Sequence, residues 1–137
     1  MTDRAAPTRV GILDAAFLDC EGPATPMHVG GLLLFAGRPE LRGRPGAAGL
    51  LDTVAARLPL LPPLRQRLQP VPFHLADPVW VDDAGFDIAR HVRRRRLSRP
   101  GGEGQLWALV AELHARPLDR RRPLWELHLI EGLADGR

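Results

Sequence analysis

The sequence predicts a layered fold of mixed helix and strand, α/β or α+β in class. Three observations carry that prediction. Residues 103–115 place Leu106, Leu109, Val110 and Leu113 at i, i+3, i+4 and i+7, the stripe of a helix that buries one face. Trp125, Leu127 and Leu129 alternate with Glu126 and His128, the period-two pattern of a half-buried strand. Along the chain the blocks run helix, strand, helix, several short strands, helix, strand. Such a mixture buries its apolar faces by packing helices on a sheet.

The first element is a helix over 12–21, where Leu13, Ala16, Phe17 and Cys20 share one face. Thr8 is its candidate cap. Gly22 and Pro23 stop it, since glycine accepts the left-handed cap and proline cannot continue the helix. Residues 28–36 then read as a buried strand with Gly30 and Gly31 near its start. Residues 37–46, rich in Gly, Arg and Pro, form a loop. A second helix over 47–58 carries Leu51, Val54 and Leu58 on one face, with Pro59 as terminator.

A proline-rich connector (Pro59, Pro62, Pro63) leads to a short strand at Leu64-Arg65-Gln66-Arg67-Leu68, closed by Pro70 and Pro72. Residues 78–83 form another short strand. Residues 86–97 are polar, basic and extended, ended by Pro100-Gly101-Gly102. The third helix follows and Pro117 stops it. The last strand enters Asp135-Gly136, a two-residue turn signal of type I′. That turn calls for a returning strand, because an unpaired edge is costly.

At 137 residues, with 45% hydrophobic and 26% charged residues, the chain is one modest globular domain. The pI near 10.8 overstates its basicity. All 19 basic residues are Arg, there is no Lys or Tyr, and the net charge is only +3. That is weak support for a nucleic-acid partner. Cys20 is the sole cysteine, so no internal disulfide forms and a reducing, cytoplasmic setting fits. No signal peptide or membrane span is expected.

Absent residues exclude chemistries. Without Lys there is no Walker A loop or Schiff base. Without Asn there is no Cys-His-Asn triad. The one serine, Ser98, lacks a glycine-flanked elbow. No His/Cys cluster has metal spacing, so no metal or bound cofactor is expected.

Three groups are candidate functional residues. Pro26-Met27-His28-Val29-Gly30-Gly31 is either a substrate-tunnel wall, with Gly30 and Gly31 admitting a substrate to the backbone, or a tightly packed core strand. The second is favoured. In Pro123-Leu124-Trp125-Glu126, Trp125 reads as a core anchor that orients the neighbouring strand, with Glu126 outward. Arg93, Arg94, Arg95 and Arg96 send two side chains to each face of a strand. A solvated edge is the favoured reading; CoA phosphates or anionic lipid come next. No aromatic residues interleave, which disfavours single-stranded nucleic acid. His28, His74, His91, His114 and His128 read as packing or surface histidines.

Motifs spread over nearly the whole chain resemble the N-terminal part of the bacterial wax ester synthase/acyl-CoA:diacylglycerol acyltransferases. They are Leu13-Asp14-Ala15-Ala16-Phe17-Leu18 with Glu21, Pro26-Met27-His28-Val29-Gly30-Gly31-Leu32, Pro63-Leu64-Arg65-Gln66-Arg67-Leu68, Trp80-Val81-Asp82-Asp83, Phe86-Asp87-Ile88, His91-Val92-Arg93-Arg94, Leu113-His114, Pro117-Leu118-Asp119-Arg120, Arg122-Pro123-Leu124-Trp125-Glu126 and Leu129-Ile130-Glu131-Gly132-Leu133. The fold implied is an α/β two-layer sandwich of the CoA-dependent acyltransferase, chloramphenicol acetyltransferase-like type. The activity implied is transfer of a fatty acyl group from acyl-CoA, as co-substrate, to diacylglycerol or a long-chain alcohol.

The family's catalytic motif is His-His-x-x-x-Asp-Gly. The resemblance implies that its second His is the general base on the acceptor hydroxyl. That motif is absent here. His128 precedes Asp135-Gly136 at the wrong interval and on the wrong strand, so no catalytic residue is expected in this chain. Residues 1–137 are therefore expected to be the N-terminal part of one acyltransferase domain, ending before the catalytic strand and inactive alone. A separate C-terminal half and a peripheral place on membrane or lipid droplets are further expectations. The alternative is a non-catalytic module that binds lipid, CoA or a partner strand.

Overall fold

The structure is a computed structural model that describes residues 6–35 and 47–134. Strand β1 (Thr8–Arg9) leads into helix α1 (Ile12–Cys20). Helix α2 (Ala47–Arg57) is followed by strands β2 (Gln66–Gln69) and β3 (Val79–Asp82). Strand β4 (Val92–Arg96), helix α3 (Glu103–His114) and strand β5 (Leu127–Glu131) complete the described chain. The expected loop at 37–46 and the Asp135-Gly136 turn lie outside the described residues.

The strands form two sheets. An antiparallel sheet runs β1-β3-β2, with Trp80 opposite both Thr8 and Leu68. A second sheet pairs β4 with β5 in parallel, from Val92↔Leu127 to Arg96↔Glu131. A parallel pair cannot close with a tight turn; it needs a crossover, and α3 supplies one. The third helix keeps the face that its stripe predicts. Leu106 is 1% exposed, and Leu109, Val110 and Leu113 are half-buried. Its first turn is capped from within: Gln105 Oε1 accepts the backbone N–H of Gly101 (2.8 Å) and Gly102 (3.0 Å).

The main cluster of buried residues is Val10, Ala15 and Leu68, with Leu18, Trp80 and Leu124 packed against it. It sits between α1, the antiparallel sheet and the approach to β5. Leu124 thereby ties the second sheet to the first. Where β4 and β5 end, Gly101 adopts φ +73° and Gly132 φ +94°. A Cβ on Gly101 would stand 1.9 Å from the Gly132 carbonyl oxygen, so only glycine fits that crossing.

Three expectations are corrected. First, residues 28–35 form no strand; Val29 is 95% and Phe35 74% exposed. No described strand pairs with them, so an apolar run lacks the ladder that would make it a core strand. Second, α1 packs through Ala15 and Leu18, while Leu13, Ala16, Phe17 and Cys20 are exposed. Both faces of this helix are apolar, so periodicity could not choose between them. Third, Thr8 does not cap α1. It belongs to β1, and Gly11 occupies the N-cap position without a side-chain bond.

Candidate functional site

Pro123-Leu124-Trp125-Glu126 is fixed from several directions. Pro123 is buried and Leu124 meets the main cluster. Trp125 Nε1 donates to the Leu64 carbonyl at 2.8 Å. The indole stacks on His91, with centroids 4.6 Å apart, and His91 stacks in turn on Phe86 at 5.3 Å. The Arg65 guanidinium lies over the Phe86 ring, 5.8 Å from its centroid. His91 Nδ1 lies 2.8 Å from the Trp125 carbonyl oxygen, so the ring donates there. The His91 carbonyl then accepts the Leu127 N–H at 2.8 Å, which starts the parallel ladder. Trp125 is thus tied to Leu64 and His91 immediately before β5 begins, and it is half-buried rather than part of the main cluster.

His91, only 3% exposed, is the residue whose importance the sequence understates. Its five-residue separation from Phe86 gives no periodic signal. The stack exists because the turn at 88–90, a 3₁₀ helix capped by Asp87 on the Ala89 N–H, folds the chain back on itself.

The segment Pro26–Gly31 is held at two points. Glu21 Oε1 accepts the Met27 N–H at 3.2 Å, while Glu21 Oε2 accepts from Arg120 Nη2 at 3.0 Å. Arg120 also donates to the Leu18 carbonyl at the end of α1. Further along, His28 stacks on His114 at 4.7 Å. A Cβ on Gly30 would come within 2.8 Å of the same His114 ring. Glycine there permits the close approach. His28 Nδ1 is buried without a hydrogen-bond partner.

The arginine run divides between the faces of β4, as its period requires. Arg93 and Arg95 are half-buried; Arg94 and Arg96 are exposed. Arg94 Nε donates to Glu131 Oε2 at 2.7 Å across the sheet. Arg93 Nη2 stands 3.6 Å from Glu126 Oε1, and Glu126 Oε2 lies 2.9 Å from His128 Nε2. Leu127, expected to face inward with Trp125 and Leu129, is instead 37% exposed.

Beyond the sheet, Asp119 holds the turn after α3. The hydrogen bond from the Arg121 side chain, with the Arg121 backbone N–H, lowers its carboxyl to about 2. Arg122 adds a weaker attraction.

These contacts position backbone around the start of β5. Among the described residues no group of three or more His, Cys, Asp or Glu side chains could hold a metal ion. What the arrangement does is present β5, anchored by Trp125, with one ladder edge on β4 and the opposite edge unpaired among the described residues.

Comparison with known proteins matches this geometry to a family. The family model for the wax ester synthase/diacylglycerol acyltransferase catalytic domain covers residues 11–137. The Mycobacterium tuberculosis protein named "Probable diacyglycerol O-acyltransferase tgs3" is 52% identical over 130 residues. The match takes in 95% of this chain and 47% of that protein. A second from the same organism, "Probable diacyglycerol O-acyltransferase tgs1", is 45% identical over 91% of this chain and 26% of its own length. The solved wax ester synthase/diacylglycerol acyltransferase from Marinobacter aquaeolei VT8 superposes with a TM-score of 0.76 at 39% identity. That match spans 94% of this chain and 30% of the solved one. The chain thus spans between about a quarter and a half of these relatives' lengths, at their N-terminal side, and its layered fold is that part of a CoA-acyltransferase-like fold. This chain belongs to the wax ester synthase/diacylglycerol acyltransferase catalytic-domain family.

Proposed function

We propose that residues 1–137 are the N-terminal scaffold of an O-acyltransferase that moves a fatty acyl group from acyl-CoA to diacylglycerol or a long-chain alcohol. The observation that carries this reading is a family match over residues 11–137 in a sequence that holds no His-His-x-x-x-Asp-Gly. In the whole protein a base takes the proton of the acceptor hydroxyl as its oxygen attacks the thioester carbonyl, and CoA leaves as the thiolate. That base comes from outside this chain. The edge of β5 left unpaired among the described residues is where its strand would pair, so Trp125 and His91 would set the catalytic strand's position at one remove.

The surface supports an incomplete layer. Ile12, Leu13, Phe17, Leu33 and Phe35 are large, apolar and exposed. Large apolar side chains exposed in such number are normally covered by another element. The remainder of the whole protein covers it, either in one polypeptide or as a separate C-terminal half. No helix among the described residues is long and apolar enough to cross a membrane. Diacylglycerol and long-chain alcohols dissolve in lipid, so the whole protein works from the cytoplasm, peripherally at membrane or lipid-droplet surfaces.

An assay with radiolabelled long-chain acyl-CoA and either acceptor tests the scaffold reading. The 137-residue chain is expected to give no labelled ester above the protein-free background. Labelled triacylglycerol or wax ester from the chain alone would show that it carries its own base. A labelled product is the right readout, because the exposed Cys20 would consume a thiol-reactive dye.

A further inference from the structure

We propose that the face of the β4–β5 sheet bearing Arg93, Arg95 and His128 binds a phosphate group. Side chains two apart on a strand share a face, so Arg93 and Arg95 project together, roughly 7 Å apart at their origins. His128 is the register partner of Arg93 and shares that face, about 5 Å across the sheet. Each of the three keeps a buried nitrogen with no hydrogen-bond partner: Arg93 Nε, Arg95 Nε and His128 Nδ1. Native proteins rarely leave such groups unpaired, and here three fall in one small area.

The charge of the face suits an anion. Glu126 touches Arg93 and His128 and offsets part of it. Among the described residues Arg95 has neither an ion pair nor a hydrogen bond. His128 Nε2 faces Glu126, which leaves Nδ1 as the ring nitrogen without a partner beside the two arginines. Two guanidinium forks beside an imidazole fit the several acceptor oxygens of a phosphate better than any neutral ligand. The other two arginines of the run are excluded from this site. They lie on the opposite face, where Glu131 already pairs Arg94.

The natural ligand we assign is a phosphate of the CoA thioester. That assignment alone rests on the acyl-CoA reading above; the anion site does not. The test is titration of the ¹⁵N-labelled 137-residue chain with inorganic phosphate, followed by NMR, and then with CoA and dephospho-CoA. Inorganic phosphate is expected to shift the Arg93, Arg95 and His128 signals saturably. Arg95→Gln should weaken phosphate about fivefold or more, as loss of a charge-assisted bond does. Arg96→Gln, the same charge change on the other face, should weaken it less than about twofold.

No saturable shift, or equal weakening by both variants, overturns the site. Arg95→Lys keeps the charge and removes the buried Nε–H, and guards against a misfolded glutamine variant. Phosphate affinity unchanged in Arg95→Lys would refute the geometry. CoA binding tighter than dephospho-CoA at the same signals supports the 3′-phosphate as ligand. Phosphate bound with no preference for CoA keeps the anion site and removes its CoA assignment.

Discussion

Replacing His91 should unseat β5, and the structure sets the size of the effect. The ring donates one hydrogen bond, to the Trp125 carbonyl at 2.8 Å, and stacks on two aromatic neighbours. A neutral hydrogen bond contributes about 1 kcal/mol net. Each ring pair contributes about 0.5–1.5 kcal/mol beyond area burial. His91→Ala should therefore destabilise the chain by about 2–4 kcal/mol. His91→Phe keeps both stacks and loses the donor, so it should cost about 1–2 kcal/mol, mostly from the unsatisfied carbonyl. Urea unfolding followed by tryptophan fluorescence measures both, and near-UV circular dichroism reports whether Trp125 keeps its setting. If His91→Ala costs under about 1 kcal/mol, the row of rings is not what holds the Pro-Leu-Trp segment. If His91→Phe matches wild type, the Nδ1 bond contributes nothing and the stack acts alone.

Gly101→Ala should be the most damaging glycine-to-alanine change among the described residues, because its Cβ would overlap the Gly132 carbonyl and its φ is positive; we expect a loss above about 3 kcal/mol, read by thermal denaturation. Gly30→Ala should cost about 1 kcal/mol by pushing His114 off His28, and that cost should vanish in a His114→Ala background, as a double-mutant cycle would show. Asp119 has a lowered carboxyl, so its contribution is complete above the ordinary value of 3.8 and is lost as pH falls towards about 2. An NMR titration of the carboxyl should give that midpoint. Asp119→Asn should flatten the pH dependence of stability between about 4 and 2.

How far the sequence could be read depends on what each element packs against. Helix α3 was legible because Leu106, Leu109, Val110 and Leu113 form one stripe, and those four turn inward as their spacing requires. Helix α1 was legible in extent but not in orientation, since Ala15 and Leu18 compete with Leu13 and Phe17 on equal chemical terms. Residues 28–35 look like a strand by composition, yet a strand is defined by its partner, and a partner is not a local property. In the site, Trp125 could be picked out as an anchor from its size and context. His91, Glu21 and Arg120 could not, because their partners lie across long stretches of sequence: Trp125 from His91, and Arg120 from Glu21. No window of periodicity reaches that far.

The balance of forces in the described chain explains why polar anchors matter so much here. Only Val10, Ala15, Leu58, Leu68, Val92, Leu97 and Leu106 are buried hydrophobics, while a larger number of Leu, Ile, Val, Phe and Trp side chains stand exposed. A core that small supplies little of the specificity that packing usually gives. Position is set instead by directional contacts: the Trp125 indole on Leu64, the His91 imidazole on Trp125, and the Glu21 carboxylate shared by Met27 and Arg120. Such contacts fix angle and register without needing the apolar surface to be closed. Strand β5 is therefore held by contacts that do not depend on closing the exposed apolar faces of α1 and 28–35.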